Sequence, residues 1–108
     1  MNDISIEQMQ QMQLRLHEKY KDSWSPLCPE TAKDRLLWMM AEVGEAAQII
    51  KKDGDTAIME DPEVRAHFVE EMADVLMYFN DVLISYGITP GEVGGEYVKK
   101  FERNLNRW

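Results

Sequence analysis

The chain has 108 residues, 44% of them hydrophobic and 30% charged, and a formal net charge of −8. That length predicts one domain, residues 1–108, with a modest core; the single cysteine, Cys28, excludes an internal disulfide and suits a reducing compartment, so a cytoplasmic protein is expected. Residues 53–92 hold ten acids and one base, Arg65, which makes nucleic-acid polymers and anionic membranes poor partners.

Start and stop signals predict four helices and no strand. Ser5 and Gln8 have capping-box spacing, and a first helix should run from there to Tyr20 or Asp22 with Met9, Met12, Leu16 and Tyr20 on one face. The stretch SWSPLCPE carries two prolines and reads as a loop. A second helix is expected from about Glu30 to Lys52, ended by DGD with Gly54 as a left-handed cap, followed by an open connection through Ile58 and Met59. Asp61-Pro62 then gives an N-cap and a proline at the first helical position of a third helix, which should reach Tyr86. Thr89 and Glu92 open the fourth, with Val93, Tyr97, Phe101, Leu105 and Trp108 at helical spacing. The expected fold is all-α and four-helix bundle-like, with helices two and three an antiparallel pair. The opening MNDISIEQ lacks a basic region followed by an apolar run, and no stretch approaches the about 18 apolar residues of a spanning helix.

Helix two carries two acids where it should bury itself. At about 100° per residue, Trp38, Met39, Ala46 and Ile49 all fall within about 60° of Glu42, with Glu45 at the border of that sector. Gly44, Gln48 and Lys51 occupy the opposite, water-facing side. Helix three repeats the arrangement: Glu71 and Asp74 are three apart, beside a stripe of Glu63, Glu70, Asp74 and Asp81 that His67, Tyr78 and Ser85 share. No Lys or Arg of that helix joins the stripe, so a compensating cation is expected from another helix or from solution. Convergence of the two pairs would make an oxygen-only cage suited to Mg²⁺ or Mn²⁺ rather than zinc, and the absence of any Glu-x-x-His disfavours a di-iron site. The plain alternative is that both pairs lie on solvated helix faces.

These residues resemble the MazG-like all-α nucleoside triphosphate pyrophosphohydrolases, whose hallmark is E-E-x-x-E on one helix and E-x-x-D on the next. Here AEVGE at 41–45 and EMAD at 71–74 supply it, with Ala41 replacing the first glutamate. The resemblance extends from the first helix to the KFERNLNR ending. It implies Glu42, Glu45, Glu71 and Asp74 as Mg²⁺ ligands and a nucleoside triphosphate as substrate; of the four, Glu45 is the candidate for taking a proton from water. It also implies substrate contacts from His17, Trp24, Tyr78, Lys100 and Asn104, and a homodimer or homotetramer. Each of these five has a structural alternative. His17 reads equally as a surface or core residue and Tyr78 as a packing residue, and Lys99 and Arg103 could grip phosphate as well as Lys100 and Asn104. Trp24, in a loop, is suited to stacking on a base, and Cys28 reads as packing only. A helical module that binds nucleotide without cleaving it is the rival reading.

Overall fold

The computed structural model describes residues 3–108; Met1 and Asn2, which open the stretch inspected for a leader, lie outside the described residues. Four helices follow one another: α1 (Ile6–Lys19), α2 (Pro29–Glu60), α3 (Pro62–Ser85) and α4 (Pro90–Leu105). The protein is all-α and bundle-like, and none of these helices is long and apolar enough to cross a membrane.

The ends of the helices follow their local chemistry. The Ser5 hydroxyl accepts from the Gln8 N–H at 3.1 Å while the Gln8 side chain accepts from the Ser5 N–H at 2.8 Å. Thr89 and Glu92 repeat this reciprocal cap at the start of α4. Gly87, at φ 66°, closes α3, with the Ile88 N–H donating to Leu83 O and the Gly87 N–H to Ile84 O, the paired bonds of a Schellman end. Asp61 serves two helices: its N–H donates to Ala57 O, and its carboxylate accepts from the Glu63 N–H at 3.0 Å.

The expected end of the second helix needs correction. Gly54 does take a positive φ of 85°, but with ψ 165°, outside the left-handed helical well, and the chain then resumes helix as far as Glu60. The glycine therefore interrupts the helix where its end was expected, but a second short helical stretch follows, so Ile58 and Met59 are helical. With only Asp61 between them, α2 and α3 fold back on each other. Contacts between Glu42 and Glu71, Trp38 and Tyr78, and Arg35 and Asp81 step down α2 as they step up α3, so the pair is antiparallel.

α1 packs on α3 with Met9 and Leu16 of its predicted apolar face half-buried, but with two glutamines at the centre of that face. Gln10 and Gln13 are its buried residues, while Met12 and Tyr20 stay largely exposed. The physical reason is on α3. Asn80 and Asp81 are buried there, and Gln10 Nε2 donates to Asn80 Oδ1 at 3.4 Å and Gln13 Nε2 to Asp81 Oδ1 at 2.9 Å. Met9 shares this seam, its Sδ accepting from Asn80 Nδ2 at 3.4 Å, and an apolar residue in place of either glutamine would strand those groups without partners.

Apolar burial is thin. Ala32, Ala46, Ile49 and Leu83 are the buried hydrophobic residues, whereas Leu36, Leu37, Met40 and Val43 of α2 are exposed. α4 buries none of its residues and packs against no other helix over any length, which leaves Tyr97, Phe101 and Leu105 in solvent. The accessible surface of 8375 Å² exceeds the about 6200 Å² expected for a folded monomer of this mass. The radius of gyration of 16.2 Å likewise exceeds about 13 Å for a compact chain of this length.

Candidate functional site

The α2–α3 seam brings three predicted ligands together. One carboxylate oxygen each of Glu42, Glu45 and Glu71 lies within 4.8 Å of the others. Glu71 is buried, Glu42 half-buried and Glu45 exposed, so the cluster grades from seam to solvent. Glu42 Oε2 and Glu71 Oε2 are both enclosed and have no hydrogen-bond partner among the described residues. Such atoms are costly to bury. A proton or a cation between them would satisfy both.

The acids respond to this crowding. Glu42 is pushed up to about 7, first because its protonated form can donate to Glu71, then through desolvation and the neighbouring charges of Glu45 and Asp74. Glu45 is also raised, chiefly by its bond to and repulsion from Glu71. Glu71, the acceptor of both bonds, is lowered, and the partly exposed His67, 3.4 Å away, adds to that. Asp74 stands outside the trio and is raised by desolvation, then by Glu71 and Glu70. The glutamates thus titrate as a coupled set sharing a proton near neutrality.

Beside the cluster opens a cavity of about 600 Å³, within the range of small-molecule sites. Glu42 and Asp74 lie at its acidic end, and Trp24, Trp38 and Tyr78 give it aromatic walls. Trp38 meets Tyr78 edge-on at 6.0 Å, and Trp24 stacks on Tyr20 at 4.7 Å and meets His17 edge-on at 5.1 Å. His17, Trp24 and Tyr78 are therefore cavity residues. Desolvation, then the charges of Glu42, Asp74 and Asp81, raise the Tyr78 phenol, which is a neutral hydroxyl at neutral pH in any case.

Lys100 and Asn104 are not brought to this cavity within one chain. Lys100 is exposed on the detached α4, and Asn104 Oδ1 is enclosed there without a partner among the described residues. Their neighbours Lys99, Glu102, Arg103 and Asn106 line a separate shallow depression.

The cavity floor holds residues that the sequence reading left without a role. Arg35 is 3% exposed, donates to Ser25 O at 2.7 Å and to Thr31 O at 3.5 Å, and sets its Nε 3.9 Å from Asp81 Oδ2. It is the cation expected from another helix, and it ties the Trp24 loop to α3. The signal was present: Arg35, Glu42 and Ile49 are seven apart, as are Asp74 and Asp81, and heptad steps keep one face of a helix. Gln13 carried no such signal, because a glutamine among the apolar positions Met9, Leu16 and Tyr20 declares a buried role only once its partner on α3 is known.

Comparisons of the chain with family models, with curated proteins and with solved structures found no match in any of the three.

Proposed function

We propose that the protein is a Mg²⁺-dependent nucleoside triphosphate pyrophosphohydrolase of MazG-like type, converting an NTP or dNTP to the monophosphate and pyrophosphate. The observation that carries this reading is the convergence of Glu42, Glu45 and Glu71 on enclosed, unpartnered oxygens at the acidic end of an aromatic cavity. An all-oxygen donor set of this kind fits a hard divalent cation, with Mn²⁺ able to substitute. Asp74 is the fourth ligand in this reading, one turn along α3 from Glu71 and facing the same cavity.

When bound, the cation neutralises the acids and polarises the phosphate, so that a polyanion can approach them. The chain's own groups account for the rest. Glu45, the most exposed of the trio and raised in pKa, accepts the proton of the attacking water. Water adds to the α-phosphorus as its bond to the pyrophosphate oxygen breaks. Trp24 and Tyr78 flank the base, and His17 supports Trp24. Lys100 and Asn104 serve phosphate binding only if α4 docks over the cavity, from its own chain or a second copy. The excess surface and exposed apolar faces of α2 and α4 support a homo-oligomer, and the lone Cys28 is in keeping with a cytoplasmic setting.

Two observations favour the rival, a nucleotide-binding module without turnover: the phosphate-gripping candidates stand apart from the cavity, and Ala41 replaces a hallmark glutamate. Incubation with canonical and altered NTPs and dNTPs, with and without Mg²⁺, separates the two. Equimolar, metal-dependent release of monophosphate and pyrophosphate supports the hydrolase. Binding without release from folded protein supports the module.

A further inference from the structure

At the far end of the cavity from the glutamates, Asp81 is 3% exposed yet lines the open volume. Its two oxygens differ. Oδ1 accepts from Gln13 Nε2 at 2.9 Å and has His17 Nε2 at 3.5 Å. No hydrogen bond reaches Oδ2 among the described residues; Arg35 Nε, at 3.9 Å, balances charge without bonding, while the terminal nitrogens of the guanidinium bond Ser25 and Thr31. Unlike the orphaned oxygens of Glu42 and Glu71, Oδ2 is not sealed inside the protein. It is an acceptor held rigidly from three elements and turned to a space walled by Trp38 and Tyr78.

From this geometry we infer that Asp81 is a specificity-determining residue, whose Oδ2 accepts a hydrogen bond from the exocyclic amino group of an amino-bearing nucleobase, as in cytosine or adenine, seated between the aromatic walls. The inference rests on the nucleotide reading of the cavity. Distance supports it. Asp81 is seven residues from Asp74 on α3, about 10 Å along the helix axis, a span comparable with that from the α-phosphate of a nucleotide to the far edge of its base. Chemistry decides the sign. A base that carries an oxo group at the same position, such as uracil or hypoxanthine, would set a lone pair against the carboxylate and leave both acceptors unpaired in a desolvated pocket. Gln13 and Arg35 are positioning residues: they fix the Asp81 carboxylate and touch no ligand in this scheme.

Cytosine and uracil nucleotides, nearly equal in shape, make the cleanest test. Dissociation constants of the α,β-imido analogues of CTP and UTP are measured by titration calorimetry with Mg²⁺ on wild type and Asp81→Asn, with hydrolysis of CTP and UTP assayed in parallel. Wild type is expected to prefer the cytosine analogue by tenfold or more. Asp81→Asn, whose amide can turn an N–H toward an oxo group, should erase or invert that preference. Equal wild-type affinities, or no binding of either analogue, would overturn the inference without need of the variant. Preferential binding of the cytosine analogue with no release of pyrophosphate would support the base contact and sink the hydrolase reading. Equal and rapid hydrolysis of both would do the reverse.

Discussion

The two ends of the α2–α3 cleft both carry buried acid, and the fold treats them oppositely. At one end Asp81 is matched by Arg35 from α2 and by Gln13 and His17 from α1, so its charge is answered within the protein. At the other, Glu42, Glu45 and Glu71 crowd together with His67 as the nearby base, and two of their oxygens have no partner among the described residues. The same helices could have carried a second arginine to the glutamate end, seven residues on. The difference teaches that buried acid is not one phenomenon: a matched acid holds the structure, and an unmatched cluster stores repulsion that a ligand from outside can relieve.

Breaking the matched end should have the largest effect. Asp81→Ala leaves Arg35 buried without its partner and is expected to cost about 3 kcal/mol, lowering Tm by about 10 °C or more in thermal melts. Glu42→Gln should act with the opposite sign on stability. It relieves repulsion and is expected to raise the metal-free Tm by a few degrees at pH 8, while reducing turnover at least about a hundredfold in the pyrophosphate assay. A fall in the metal-free Tm would refute the crowding account.

The pH dependence sharpens the same contrast. Glu42 titrates near 7 in the folded protein, above its ordinary carboxylate value, so between the two the native state binds more protons than the unfolded state. Metal-free stability should therefore decline as pH rises from 5 to 7 and level off above. Stabilisation by Mg²⁺ should grow across that window, with apparent affinity rising about tenfold per pH unit while one proton is displaced. Melts at pH 5.5, 6.5 and 7.5, with and without Mg²⁺, test both slopes. The smallest effect on folding is expected from Phe101→Ser with Leu105→Ser on α4. Stability of the single chain should change by no more than about 0.5 kcal/mol, since neither side chain is buried. Sedimentation should show any oligomer lost.

Local chemistry made much of this fold legible. Ser5, Asp61, Gly87 and Thr89 state their helix ends in side-chain hydrogen bonds or backbone freedom, and those need no tertiary information. The rotation that turns Glu42 into the seam was equally readable, because the helix repeat fixes it; Ala46 and Ile49 are buried beside it. What eluded the sequence depends on partners distant in the chain. The burial of Gln10 and Gln13 is decided by Asn80 and Asp81, about 70 residues away. The continuation of α2 past Gly54 was hidden because a glycine that ends a helix and one that breaks it look alike until the next residues find their packing. The role of Arg35 required knowing that it faces Asp81 across two helices.

The single residue between α2 and α3 has a kinetic meaning. Glu42, Glu45, Glu71 and Asp74 all belong to one α-hairpin, which can zip from its one-residue turn at Asp61 without any contact from α1 or α4. The acids should meet as soon as the hairpin forms. α1, the Trp24 loop and α4 would join a frame already built, which places the elements that surround the ligand among the last to order.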